Sequence, residues 1–474
     1  MPRRILLVSL NRCTTPDPVF PLGLTYLGSA LRRAGHQVEW LDVQIAASSA
    51  EALIESFQPD IVGISLRNID DVLIRVREVY FPDVTEFCAR VRRCSRALVV
   101  LGGSGFSVFP DRLLAASGAD YGIQGEGELA FPALISAIEN GSDPSLIPGV
   151  VHRQDTRVQA EPPQPAALSL PVLPSDRPDP LVAHYLKASG TLNVQTQRGC
   201  AHACCYCTYP VIEGHHNRRR PPDQIAEEFA QLARQGARYL FVVDSIFNSS
   251  EAHVVETCEA ILRRRPSLSW GCFLRPQGLN ADLMRLMKRA GLTHAEFGSD
   301  SFTDSVLQEY GKRFRFEDVL QADEAARVAG VERCHFLICG GPGETLETLE
   351  QTHAHASRLH GAVIMAVVGM RIYPGTALYR RALKEGRIDA TTDLLQPTYY
   401  LATGLDPESI FARLQEFSRV TPNWIAGDPS PEYTRLVARL RERGVVGPLW
   451  SYFALLQKFR PLAQSASTQH SAPP

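Results

Sequence analysis

Leu192-Asn-Val-Gln-Thr-Gln-Arg198-Gly199-Cys200-Ala-His-Ala-Cys204-Cys205-Tyr206-Cys207 is the most informative stretch of the chain. Its first six residues read as a strand, and Gly199 opens a loop. The spacing C-x3-C-x2-C puts three thiols on that loop, enough to hold three irons of a cubane [4Fe–4S] cluster. The fourth iron then has no protein ligand and is open to a small chelating molecule. A zinc site would want four ligands in paired C-x2-C spacing. His202 or Cys205 could supply a fourth ligand and close the site, which keeps a structural zinc or a closed cluster as an alternative. Cys205 adjoins Cys204 and is expected to point elsewhere.

Downstream, apolar β runs begin at Tyr239, Leu268, Thr293, Cys334 and Val363, with helical stretches between them. Together with the strand before Cys200 they make six βα units, a partial (β/α)6 barrel whose chemistry gathers at the carboxyl ends of its strands. Upstream, β runs begin at Arg4, Val38, Ile61, Leu98 and Tyr121, and helical stretches separate most of them. Such alternation predicts a parallel, doubly wound, flavodoxin-like (Rossmann-type) sheet with its ligand at the carboxyl ends of the strands. The loops there are Gly102-Gly103-Ser104-Gly105 and Gln124-Gly125-Glu126-Gly127-Glu128. Two glycine-rich loops favour a large flat or phosphate-bearing ligand, although glycine in one such loop also serves a tight turn. No G-x-G-x-x-G follows the first strand, which disfavours a dinucleotide.

The expected division is an α/β domain over 1–150, a Pro-rich linker over 151–190 and the barrel over 191–385. A small helical cap over 386–462 and a disordered tail over 463–474 complete it.

The motif C-x3-C-x-aromatic-C at the end of a first barrel strand resembles the radical S-adenosylmethionine (SAM) superfamily. The N-terminal domain resembles the cobalamin-binding domain of that superfamily's B12-dependent branch, the class B methyltransferases. The resemblance implies that Cys200, Cys204 and Cys207 are the catalytic and metal-binding residues and that SAM chelates the unique iron. It implies SAM contacts from Tyr206 at adenine, Asp244 or Asn248 at the amino group, and Arg275 at the carboxylate. Ser299 and Asp300 would meet the ribose. Gly341 and Glu344 would form the adenine site, although Glu344 could simply cap the next helix. Arg371 and Tyr373 would stack on adenine or contact it through backbone.

On the cobalamin side, the implied contacts are Ser65, Gly102, Gly103, Ser104, Gly125, Glu126 and Gly127. Arg67 and Asn68 are candidates for the lower face of cobalt. No D-x-H-x-x-G is present, and His36 is the only histidine before residue 150. The expectation is therefore base-off cobalamin without a histidine ligand. His215-His-Asn-Arg-Arg-Arg220 is either a solvated loop or a contact for an anionic group.

The implied function is cleavage of SAM to a 5′-deoxyadenosyl radical and methylation of an unactivated carbon through methylcobalamin. The expected partners are a small-molecule or lipid substrate and an external flavodoxin- or ferredoxin-type electron donor. A radical cyclase or rearrangement enzyme, and a non-catalytic cluster-bearing module, are the alternatives. Cys13, Cys88 and Cys94 raise the methylthiotransferases, which carry a second cluster in this position. Here Cys88 and Cys94 are six residues apart in a probable helix, so at most one faces the same way as Cys13.

Composition agrees. In 474 residues, 45% are hydrophobic and 21% charged, which is ordinary for a folded protein. A net charge of −2 argues against a general nucleic-acid binder. No apolar run approaches the roughly 18 residues of a membrane helix. The apolar start ends at Asn11 and Arg12 and lacks a small-residue cleavage site, so it reads as a first strand of a cytoplasmic protein. The 11 cysteines, an odd number, suggest a reducing compartment.

Overall fold

A computed structural model describes residues 1–14, 17–46, 50–154, 157–160, 177–426 and 431–452. Residues 155–156 and 161–176 of the expected linker and all of the expected tail lie outside the described residues.

The N-terminal sheet begins with β1 (Arg4–Ser9), whose residues Ile5 to Val8 are fully buried. Such a continuous apolar run belongs to a parallel strand covered on both faces. β2 (Gln37–Asp42), β3 (Ile61–Ser65), β4 (Leu98–Gly102) and β5 (Tyr121–Ile123) join it in the parallel order β2-β1-β3-β4-β5. That is the flavodoxin-like order. The sheet does not end there. β6 (Val150–Gln154) pairs antiparallel with β5, and β7 (Arg157–Ala160) pairs antiparallel with β6. The stretch expected to open the linker thus begins as a hairpin, and the helix Asp179–Ser189 occupies its far end.

The second sheet contains β8 (Thr191–Val194), β11 (Tyr239–Val242), β12 (Ser269–Leu274), β13 (Leu292–Asp300), β14 (Glu332–Cys339), β15 (Val363–Val368) and β18 (Trp424–Ala426). All are parallel, and each lies beside its predecessor in this series. A sheet wound in one direction, with β8 and β18 left as edges, is a partial barrel. It has seven strands where six were expected, because Trp424–Ala426, assigned to the helical cap, returns beside β15. Two ribbons decorate the barrel: β9 (Gln197–Arg198) with β10 (Arg218–Arg219), and β16 (Met370–Arg371) with β17 (Tyr399–Tyr400). The run that begins at Val363 breaks at Gly369, whose φ is +80°.

The two units share apolar core. Leu6, Val8 and Phe106 of the first sheet layer belong to one cluster with Tyr310, Met370, Ile372 and Leu378 of the barrel. Phe20 and Tyr26 likewise pack with Tyr185, Ile225 and Phe229. This packing brings the carboxyl edge of the first sheet to the mouth of the second: the helix Tyr209–Glu213, just after the cysteines, lies on the helix Ser104–Val108, just after β4.

Candidate cluster and cofactor site

The cysteine loop is held by backbone contacts from several elements. Gly199 has φ +83°, and a Cβ there would stand 2.1 Å from His216 O. Cys200 N–H donates to Gly214 O, and Cys207 N–H to Cys204 O. Cys205 N–H donates to Tyr310 O, while Cys205 O accepts from Leu378 N–H at 2.7 Å. These bonds turn Cys205 into the shared core, where its Sγ lies 3.8 Å from Met370 Sδ. Cys205 is thereby removed as a fourth ligand, as its position in the motif suggested. The His202 ring faces Arg275, whose Nη1 is 3.3 Å from Nε2. Burial and that guanidinium lower the His202 pKa to about 4.

Cys200, Cys204 and Cys207 remain as the donor set. The last two are partly accessible and Cys200 is buried. Burial pushes the Cys207 thiol up to about 12, and the neighbouring Cys204 and Cys200 add to the rise. Burial raises Cys204 as well, against the opposing pull of Lys312. Three mutually interacting thiols suit a centre that supplies positive charge to stabilise thiolates. Three thiols in C-x3-C-x2-C spacing, without a paired C-x2-C partner, suit a cluster better than a four-ligand zinc site.

Several expected SAM contacts are engaged elsewhere. Asp244 Oδ1 accepts from Thr196 N–H at 2.7 Å and Gln197 N–H at 3.2 Å, and Oδ2 accepts from Thr196 Oγ1. Burial pushes its pKa up to about 7. It holds the turn that launches the cysteine loop rather than facing the barrel mouth. The Asn248 amide is paired in both directions with the Arg275 backbone, at 2.8 and 2.9 Å. Ser299 Oγ bonds His335 Nδ1 at 2.8 Å inside the barrel wall. Glu344 does not cap the next helix: Thr345 does, in a reciprocal box with Thr348. Its carboxylate turns back to Gly340 N–H, and burial pushes it up to about 8. Gly341 N–H donates to Tyr310 Oη at 3.1 Å. Arg371 is buried and binds Asp70 Oδ2 at 2.9 Å, tying the barrel to the N-terminal domain. Tyr373 packs between Arg371 and Phe109, with ring centroids 6.2 Å apart for the aromatic pair.

Other expected contacts converge. Tyr206 Oη donates to Asp300 Oδ2 at 2.6 Å, and Lys312 Nζ lies 2.5 Å from the same oxygen. Asp300 has φ +62°, the left-handed region that Asp tolerates better than most residues. Lys312 also bonds the Cys204 thiol, so one cation joins the Asp300 carboxylate to the cysteine loop. Arg275 stands within electrostatic reach of Cys204 and Cys200.

On the N-terminal side, Ser65, Gly102, Gly103 and Ser104 share the edge beyond β3 and β4. Gly103 has φ +97°, and a Cβ there would meet Leu66 O at 2.6 Å. Ser104 Oγ donates to Arg67 O at 2.8 Å. The Arg67 side chain is exposed, yet burial lowers its pKa. Tyr209 is likewise 37% exposed, while burial dominates the upward push on its phenol. Asn68, next to Arg67 in the chain, is half-buried. Gly125 and Gly127 flank Glu126, whose carboxylate is bound by Arg218 and Arg198 rather than open to a ligand. Arg218 and Arg220 thus do not form an anion site, since Arg220 pairs with Glu228 at 2.6 Å.

Sequence reasoning missed Lys312, Tyr310 and Tyr209. Lys312 carries a signal in hindsight: it is one of five lysines among 49 basic residues, and it follows a glycine just after a helix.

The chain matches the Radical SAM superfamily over residues 194–356 and the B12 binding domain over residues 9–135. An uncharacterized methyltransferase of Pyrococcus horikoshii is 26% identical over 394 residues, 82% of either chain. The tryptophan 2-C-methyltransferase of Streptomyces laurentii is 25% identical over 441 residues, 79% of this chain and 74% of its own. The solved radical S-adenosylmethionine methyltransferase TsrM of Kitasatospora setae, with cobalamin and a [4Fe–4S] cluster bound, shares the fold. Its TM-score is 0.85 at 24% identity, over 97% of this chain and 98% of that one. The two domain matches sit where the first sheet and the cysteine-bearing barrel lie, and the chain belongs to the branch of the radical SAM superfamily that carries a cobalamin-binding domain.

Proposed function

We propose that the chain is a cobalamin-dependent radical SAM enzyme that methylates an unactivated carbon of a small molecule or lipid. The observation that carries this reading is the apposition of two edges. The three-cysteine loop at the barrel mouth faces the Gly102–Ser104 edge through the packed helices Tyr209–Glu213 and Ser104–Val108. Methyltransferase relatives align across both units, which supports methyl transfer over a reaction of the barrel alone.

When bound, the cluster supplies the electron that cleaves SAM, and cobalamin supplies the methyl group. Cys200, Cys204 and Cys207 would hold the irons. Arg275 would pair with the SAM carboxylate, and Asp300, fixed by Lys312 and Tyr206, would accept from the ribose hydroxyls. Ser65, Gly102, Gly103, Ser104, Gly125 and Gly127 would border the corrin, with Arg67 and Asn68 on the lower face of cobalt. Asp244, Asn248, Ser299, Glu344 and Arg371 act by holding the frame, since their polar atoms are bonded to protein.

The reading without a histidine ligand draws on where the N-terminal histidines lie. His36 precedes β2 and accepts from Arg3 N–H at 3.2 Å, at the sheet end opposite the Gly102–Ser104 edge. His152 lies beside Tyr121 at the amino end of β5. An external one-electron donor of the flavodoxin or ferredoxin type would reduce the cluster. No helix among the described residues is long and apolar enough to cross a membrane.

The test is anaerobic reconstitution with iron and sulfide, then hydroxocobalamin, SAM and a reductant. The expected results are a [4Fe–4S] signal, a base-off cobalamin spectrum and release of 5′-deoxyadenosine. Changing Cys200, Cys204 or Cys207 to Ala abolishes the cluster signal, whereas Cys205→Ala retains it. 5′-Deoxyadenosine formed with the true substrate but without methyl transfer selects the cyclase or rearrangement chemistry. None at all leaves a binding module.

A further inference from the structure

A chain of buried polar contacts runs from the N-terminal domain to the backbone beside Cys200. Arg198 Nη2 donates to Glu128 Oε1 at 2.5 Å, and Nη1 lies 3.2 Å from Glu126 Oε2. Arg198 Nε donates to Gln195 Oε1 at 2.9 Å. Gln195 Nε2 donates to Glu213 Oε1 at 3.0 Å, and Glu213 Oε2 accepts from Gly199 N–H at 3.0 Å. Arg218, on the return strand of the ribbon, donates to Glu126 at 2.9 Å. Arg198, Gln195 and Glu128 are buried, and the Arg198 guanidinium also covers the Tyr26 ring at 4.9 Å. Glu126 and Glu128 belong to the N-terminal domain. Gly199 N–H is the amide next to Cys200.

We infer that Arg198, Glu126 and Glu128 are positioning residues for the cysteine loop, so that the N-terminal domain sets the angle at which the barrel presents Cys200. The physical reason is that a buried guanidinium held by two carboxylates has one orientation, and Gln195 and Glu213 pass that orientation to the Gly199 amide. Partners one step removed from metal ligands govern ligand geometry in this way. The inference rests on the reading of Cys200, Cys204 and Cys207 as cluster ligands. It goes beyond that reading because it makes a barrel-borne cluster answer to side chains of the other domain.

The experiment uses the full chain, reconstituted without cobalamin. Glu128→Gln, Arg198→Gln, their double variant and Arg198→Lys are compared with the parent. The readouts are the EPR line positions of the reduced cluster with and without SAM, and the half-life of the cluster against an iron chelator. Both single variants are expected to shift the lines and to shorten the half-life about tenfold. The double variant should add little to either, because the two residues act through one contact. Arg198→Lys keeps the charge but loses the forked geometry and should fall between. Unchanged lines and half-life in the folded variants overturn the inference, even where thermal stability drops. Should the Gln variants not fold, Arg198→Lys with parental lines and half-life overturns it equally. A parent chain that takes up no cluster overturns the cluster assignment instead.

Discussion

Side chains with several polar atoms are where sequence and structure part most. Arg371, Asp244 and Glu344 sit at strand ends where ligand contacts gather, yet each is engaged by protein. Type and position do not reveal which way such a group turns. The cysteines differ, because a thiol spacing on one loop has few other uses. Glu296 offers a clean test of burial at this scale. Its Oε1 accepts from Trp450 Nε1 at 2.9 Å, and burial pushes its pKa from the usual 4.5 to about 7. The folded chain therefore keeps a proton that the unfolded chain releases between those values. Its contribution to stability is full below pH 4.5 and is lost as pH rises through about 7. The loss amounts to at most about 3 kcal/mol. Glu296→Gln keeps the acceptor for Trp450 and removes the titration. Urea unfolding of the variant should show a smaller drop in stability from pH ~5 to pH ~8 than the parent does.

Elements were largely legible. Continuous apolar runs marked the parallel strands, and β5 falls at the residues where its run was read. The barrel's seventh strand was not legible: Trp424-Ile-Ala is short and follows a long helix, so only its pairing with β15 defines it. Glycine at the strand ends was legible as a need for backbone freedom but not for its cause. Gly103 is needed for packing against Leu66 O, and Gly199 for packing against His216 O. Gly199→Ala places a Cβ where a carbonyl stands, at a positive φ, with strain of about 1–3 kcal/mol in the cysteine loop. The expected outcome is an intact far-UV circular dichroism spectrum with most of the reconstituted iron lost. Full iron content in this variant would contradict the loop's tight tolerance.

At the scale of the molecule, the two units are docked through shared apolar core and buried ion pairs. Asp70 and Arg371 are both buried and meet across that interface at 2.9 Å. Asp70→Ala leaves a buried guanidinium without its carboxylate, which costs about 3–5 kcal/mol. A lowered urea midpoint is expected, with the cluster's SAM-dependent EPR change retained. Loss of SAM binding at full stability would return Arg371 to the nucleotide site.

The amino-acid sequence alone determined the chemistry available and the two sheets that carry it, because thiol spacing, strand periodicity and helix alternation are local properties of the chain. The tertiary structure decided which side chains are open to a ligand. That choice depends on contacts between residues far apart in the chain, such as Arg198 with Glu128 or Lys312 with Asp300. Burial then forces each polar group to find a partner, and no local pattern names which partner it finds.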